Sequence, residues 1–372
     1  MLKKHTLGLQ LGLVLGCGLL TAFPALSSSW PRFRGPNGTG TAADKDIPLH
    51  WSEKDGILWR SEIPGVGHSS PVVWNNRIFL QSASADGAER LLLCLNTEDG
   101  SIVWKQSVPG STARTNEYNT LASSTPATDG QRVYAAVWDG KEVAIHAYDF
   151  QGNHLWKSML GAFISQHGFG GSPIVHEGKV VLADDQDGSS ELIALDAATG
   201  NRAWQVSRKP FRACYSVPLV LGQGESAELI VASTAGLTSY DLQTGREKWS
   251  YAWKFDGMPL RTVASPVISG DLLFINSGDG SGARQALAVK LGGKGDVTAT
   301  HFAWEVRRDF PYVPTMLTYG DYLFFVNDMG VASCREAATG KEVWNERLGG
   351  KFFASPVLID GKIYAVNTDG KV

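Results

Sequence analysis

Residues 195–204 read LDAATGNRAW: a short aliphatic run, an Asp, a Thr-Gly pair and, four residues past the glycine, a Trp. The same order returns in LNTEDGSIVW ending at Trp104, YDFQGNHLW at Trp156, YDLQTGREKW at Trp249 and REAATGKEVW at Trp344. Such recurrence defines a repeat, and the repeat has to be read before any single residue is given a role. The glycine supplies the backbone of a sharp turn, and the Asp or Thr ahead of it is placed to bond turn amides. The Trp beyond projects a large apolar plate with one N–H, a side chain suited to seating one sheet on another. Trp59, Trp104, Trp156, Trp204, Trp249, Trp304 and Trp344 are therefore expected to be structural docking residues, with no part in a ligand cage.

A second signature alternates with the first: a small residue and a Pro followed by β-branched residues, at Pro71, Pro126, Pro173, Pro218, Pro266, Pro314 and Pro356. Successive prolines stand 55, 47, 45, 48, 48 and 42 residues apart, and successive tryptophans 45, 52, 48, 45, 55 and 40. Both markers keep one period. Each unit reads as four short strands. Pro opens the first, where a missing N–H costs little. A turn such as Glu177-Gly178 leads into the second, a polar loop precedes the third, and the Thr-Gly turn swings into the fourth. No stretch sustains a 3.6-residue apolar period, which disfavours alternating strands and helices. Four-stranded units at this spacing pack radially, so the expectation is an all-β fold, a β-propeller of about seven blade units.

The ends of the repeat carry their own expectation. DGILWRSEI, residues 55–63, precedes the first Pro signature and reads as a fourth strand lacking its own first three. Residues 353–372 supply two strands and stop where a third should start, which leaves the last blade incomplete. An N-terminal outer strand completing that blade is the expected closure, because it removes an exposed sheet edge. Sequence missing at the C-terminus would raise the count to eight blades. The propeller then occupies residues 51–372 and an N-terminal extension residues 29–50.

Residues 1–28 combine two lysines, an apolar run from about Thr6 to Leu26 and a small-residue end, the pattern of a secretory signal peptide. Val14-Leu15-Gly16-Cys17 offers a lipoprotein processing site instead, with Cys17 acylated. The chain is thus expected to be exported, periplasmic, and soluble or held at a membrane only by an N-terminal anchor. No other stretch is long and apolar enough to cross a bilayer. A net charge of −3 without a basic block gives nucleic acid no electrostatic footing. Cys94 and Cys334 each stand six residues before a turn glycine, in repeats that should not meet. With Cys214 they are expected to be buried free thiols.

The repeats resemble exported proteins built from quinoprotein-type (PQQ-like) propeller units, the group that includes the outer membrane assembly factor BamB. The motif A-x-D-x-x-T-G-x-x-x-W stands here as Ala194, Asp196, Thr199, Gly200 and Trp204. It is degenerate at Tyr240-Asp241-Thr244-Gly245-Trp249 and at Cys334-Glu336-Thr339-Gly340-Trp344. WPRFRGPNGTG, residues 30–40, is similar to the start of the mature chain in planctomycete-type members. The resemblance implies an eight-bladed ring in many relatives and, in the enzymatic branch, an adjacent Cys-Cys pair, a calcium ion and a catalytic Asp. The sequence has no Cys-Cys pair. Asp184, Asp185 and Asp187 are its best metal candidates, although a solvated turn is the preferred reading of them.

Polar residues just before the first strands, and in loops between second and third strands, should open on one face around the channel mouth. His68, Arg114, Asn119, His167, Arg212, Tyr215, Arg261, Asp279, Tyr312, Asp328 and Phe352 are the candidate binding face. Catalytic and cofactor residues are not assigned. The function expected is a non-catalytic exported scaffold, a monomeric ring that binds protein partners, cell-envelope proteins among them, without a cofactor. The alternatives are a periplasmic quinone- or metal-dependent oxidoreductase using PQQ and calcium, and a carbohydrate-binding module using Trp138, Tyr215, Tyr312 and Phe352.

Overall fold

In the computed structural model, which describes residues 29–52 and 54–372, each repeat becomes a meander of four antiparallel strands. Sheet 1 is Val72–Trp74, Arg77–Ala83, Glu89–Asn96 and Ile102–Pro109, and sheet 2 is Ala127–Thr128, Arg132–Trp138, Glu142–Asp149 and His154–Ala162. Sheet 3 is Ile174–His176, Lys179–Asp184, Ser190–Asp196 and Arg202–Arg208; sheet 4 is Leu219–Leu221, Glu228–Ser233, Gly236–Asp241 and Glu247–Ala252. Sheet 5 is Val267–Ser269, Leu272–Gly278, Arg284–Lys290 and Phe302–Val306; sheet 6 is Leu317–Tyr319, Tyr322–Val326, Val331–Glu336 and Glu342–Arg347. A seventh sheet holds Val357–Ile359 and Lys362–Tyr364. The fold is a multi-blade β-propeller.

Burial follows from place in the blade. Second and third strands lie between neighbouring sheets, so Leu91–Leu95 and Leu229–Ala232 are buried on both faces. A run apolar at every position is what such a strand requires. Fourth strands form the outer edge and alternate, as in Ile102–Pro109. First and second strands join through tight turns: Glu177 and Gly178 take φ of 44° and 74°, the left-handed pair that matches hairpin twist.

The role of the Trp is now concrete: it docks on the next sheet. Trp104 Nε1 donates to the Phe150 carbonyl at 2.9 Å, Trp156 to Ala197 at 3.2 Å, Trp204 to Leu242 at 3.0 Å and Trp304 to Ala337 at 2.8 Å. Each acceptor directly follows the acidic residue that ends the third strand of the sheet it serves. In that turn Asp196 Oδ1 accepts from the amides of Ala198 and Thr199 and from the Thr199 hydroxyl. Gly200, at φ 74°, lies flat under the Trp156 indole, where a Cβ would stand 2.5 Å from Cε3. The residue opposite each Trp is small: Cys94, Ala147, Ala194, Ser239, Ala288 and Cys334. A bulge follows it in every sheet and turns the fourth strand. Cys94 and Cys334 are thus spacers beneath a tryptophan, and with Cys214 they are buried thiols.

Two tryptophans depart from the series. Sheet 5 lacks the Thr-Gly turn, and a short strand, Gly295–Asp296, pairs in parallel with the outer edge of sheet 4 at Trp249 and Ser250. Trp249 is buried there with no partner for Nε1 among the described residues. Trp344 is 43% exposed, since no third-to-fourth-strand turn covers it among the described residues.

Closure differs in detail from the expected outer strand. Residues 55–63 form no ladder strand. Trp59 nevertheless keeps the place in the series that its sequence position implies: Nε1 donates to Thr97 at 2.8 Å and the ring covers Gly100. The N-terminal segment reaches the seventh sheet at the inner edge instead, where Thr41 and Ala42 pair in parallel with Leu358 and Ile359. The expected leader, with Cys17, lies outside the described residues. No helix among those residues is long and apolar enough to cross a membrane.

Candidate functional site

The N-terminal extension, the loops ahead of the first strands, and the first strands of sheets 1 and 7 at Val73, Val357 and Ile359 line a central cavity of about 1200 Å³. One end is floored by Trp30, Phe33, Arg34 and Pro36 from the N-terminal extension. The other end is a mouth of loops leading into first strands, which bring His68, Tyr118, Asn119, His167, Tyr215, Tyr312 and Phe353 together. Of the residues named from sequence, His68, Asn119, His167, Tyr215 and Tyr312 reach this cavity.

The others are placed differently. Arg261 is only 2% exposed, because its backbone bridges to Gly278 and its Nη1 donates to the Ala213 carbonyl at 2.8 Å. Arg212 is half-buried and donates to the Pro259 carbonyl at 3.3 Å, while Arg114 is exposed. Asp328 is buried, accepting the Tyr312 amide at 2.6 Å and the Val313 amide at 3.1 Å beside Arg284. It braces a mouth loop. Asp279 caps its own turn through the amide and hydroxyl of Ser281. Phe352 is buried; the neighbouring Phe353 faces the cavity and packs on Tyr118, ring centres 4.5 Å apart.

The metal and carbohydrate readings lose their geometry. Asp185 is a buried partner of Arg208, with Nε to Oδ1 at 2.6 Å. Asp184 is buried and bonded by Gln186 at 3.1 Å, and Asp187 accepts the Ala213 amide at 2.8 Å. The three carboxylates face separate partners rather than a solvated turn or a common centre, because Arg208 at the end of the fourth strand draws Asp185 away. Groups of three or more His, Cys, Asp or Glu able to hold a metal do not occur among the described residues. Trp138 and Phe352 are in the core, so a sugar-stacking platform retains only Tyr215 and Tyr312.

Electrostatics divide the mouth. Burial, then the charges of Arg261, Arg212 and Arg114 against a single opposing Asp187, bring the His167 pKa down to about 4. The imidazole is neutral at neutral pH and faces a locally cationic wall. Burial pushes the Tyr215 hydroxyl up to about 12, and its oxygen bonds Ser165 at 2.9 Å. Ser123 and His167 both line the cavity, and the Ser123 hydroxyl is engaged with Thr120 at 3.0 Å.

One element of the face was missed. Ile164, Phe211 and Met258 are 58%, 65% and 78% exposed. They stand in the loops after the fourth strands of sheets 2, 3 and 4, 47 residues apart each time. Ile164, Phe211 and Met258 fall eight, seven and nine residues after Trp156, Trp204 and Trp249, so the recurrence is visible in the sequence only as a large apolar residue somewhere in each of three successive loops.

With the geometry in hand, the similarity to known proteins is informative. The chain is 26% identical over 334 residues to a tetrathionate hydrolase of Acidithiobacillus ferrooxidans, covering 84% of this chain and 52% of that protein. It therefore spans about half the length of this curated relative. BamB from Moraxella catarrhalis superposes with a TM-score of 0.61 at 18% identity, over 84% of each chain. The quinohemoprotein alcohol dehydrogenase of Comamonas testosteroni gives 0.52 at 15% identity, over 91% of this chain and 76% of the other. These superpositions show a shared fold. Sequence matches to one family model extend over residues 44–147, 114–229, 141–300 and 306–372, and on that coverage the chain belongs to the outer membrane protein assembly factor BamB family.

Proposed function

We propose that this chain is an exported, non-catalytic scaffold that holds protein partners on the loop face around its channel mouth. The observation that carries this reading is the arc of Ile164, Phe211 and Met258, large apolar side chains held in water on successive loops. Such side chains cost solvation in the free protein and supply the anchors a partner buries. Half-buried Arg212 and exposed Arg114 flank the arc and favour a partner with acidic residues around an apolar strip. Family membership supports the same role.

The test is affinity capture from envelope extract, followed by titration of the recovered partner. A Phe211→Ser/Met258→Ser variant should lose at least tenfold in affinity while keeping its unfolding midpoint, because both side chains are exposed. An Ile102→Ser/Val103→Ser variant on the outer edge of sheet 1 should bind like the parent. The opposite pattern would move the working surface to the blade edges.

A second reading, catalysis on a small anion in the cavity, is favoured by neutral His167 beside the arginine wall and by the similarity to a protein named tetrathionate hydrolase. Tetrathionate consumption by the purified protein that disappears in His167→Ala would put this reading first.

A further inference from the structure

Residues 30–42 cross the channel at the end opposite the mouth and engage first strands across the ring. Trp30 exchanges two backbone hydrogen bonds with Val73 of sheet 1, each 2.8 Å, and the Thr128 amide of sheet 2 donates to Pro31 at 2.8 Å. The Asn37 side chain donates to the Val220 carbonyl of sheet 4 at 2.8 Å and accepts the Val220 amide at 3.1 Å. The Leu358 amide of sheet 7 donates to Gly40 at 2.8 Å.

Arg34 is the centre of this segment. Its buried guanidinium donates to Gly38 and Thr39 in its own turn, to Met316 ahead of sheet 6 and to Pro356 ahead of sheet 7. No carboxylate forms an ion pair with it among the described residues. A cation buried in this way is tolerated only while its donors stay satisfied, so the four carbonyls and the guanidinium hold one another in place. Gly40, at φ 74°, passes so close that a Cβ would lie 2.4 Å from Arg34 Nη2.

We propose that residues 30–42 are a hub clamp, tying sheets 1, 2, 4, 6 and 7 together from the axis and flooring the channel, which leaves the loop mouth as the way in. The physical need is plain. The first strands are two or three residues long, and each turns an otherwise unpaired edge toward the axis. A strand this short is marginal with one neighbour, and the clamp provides a second.

The test needs no partner, so its outcome is independent of the scaffold reading. Hydrogen exchange is followed at four amides that donate into the segment: Val73, Thr128, Val220 and Leu358. In the parent protein they should exchange slowly, like the core amide of Ile193. In Arg34→Met they should speed up together by about tenfold or more, with Ile193 unchanged, as a local opening predicts. Wild-type rates at all four would overturn the proposal. If Arg34→Met does not fold, Asn37→Ala decides the matter: selective loss of protection at Val220 supports the clamp, and an unchanged Val220 refutes it.

Discussion

Gly200→Ala and Gly178→Ala place the same methyl group on the same backbone conformation, φ 74° in both. Each carries the left-handed penalty of about 1–2 kcal/mol. At Gly178 nothing lies within 4 Å of the added carbon, so the cost ends there. At Gly200 the methyl would stand 2.5 Å and 2.6 Å from two atoms of the Trp156 ring, and the indole must lift. Trp156 is only 9% exposed. An indole buried to that extent hides about 200 Å² from water, which at about 25 cal/mol per Å² is about 5 kcal/mol. Rewetting half of it costs about 2–3 kcal/mol, and losing the Nε1 bond to Ala197 adds about 1 kcal/mol. Gly200→Ala is therefore expected to be about 3–4 kcal/mol less stable than Gly178→Ala, measured by urea unfolding with tryptophan fluorescence. In a double-mutant cycle, Trp156→Ala should cost much less in the Gly200→Ala background than in the parent. Equal stabilities for the two glycine variants, or additive costs in the cycle, would show that the plate does not rest on the turn.

Three further outcomes follow from buried polar groups. Burial raises the Asp184 pKa to about 7, so this group's contribution to stability is complete below its unfolded value near 4 and is lost as pH rises through 7. Asp184→Asn should then gain melting temperature over the parent at pH 8.5 but not at pH 4, and a constant difference would refute the assignment. His146 has no hydrogen-bond partner for either ring nitrogen among the described residues, and burial followed by the nearby charges of Lys157 and His154 lowers its pKa to about 4. Its contribution is present above the unfolded value near 6.5 and fades as pH falls through 4, so His146→Phe should resist acid unfolding better than the parent, as a melting series from pH 7 to pH 4 would report. Arg208→Met strands the Asp185 carboxylate in the core and should cost about 3–5 kcal/mol in urea unfolding, much of which Asp185→Asn should restore in the double variant.

The blades were legible because their determinants are local. The Asp, the glycine and the tryptophan lie within nine residues of one another, and each acts through a turn that the same residues form. The clamp was not legible. Arg34 finds Pro356 at a separation of 322 residues and Asn37 finds Val220 at 183, and no periodicity connects partners so far apart. Asp185 reads as part of a solvated turn because its partner, Arg208, arrives from the end of the fourth strand, 23 residues on. Phe352 was chosen for the mouth in place of Phe353 because adjacent residues in an irregular loop carry no alternation to tell inside from outside. Arg261 reads from sequence as an exposed loop residue, and its bridge to Gly278 cannot be read from its neighbours in sequence.

The seat of each tryptophan on the following sheet has a consequence for inheritance and engineering. The unit copied by duplication and the unit joined by contact are out of step, since a copy such as that of Trp104, Trp156, Trp204 or Trp304 carries its plug forward and leaves its socket to receive a plug from behind. Joints of this kind are head-to-tail, so a whole copy can be inserted or removed and the joints on either side still match. A single copy moved into a foreign ring has to satisfy two strangers at once. Trp59, which fills the socket of the first sheet from outside the regular series, shows that even the end of the array obeys this rule.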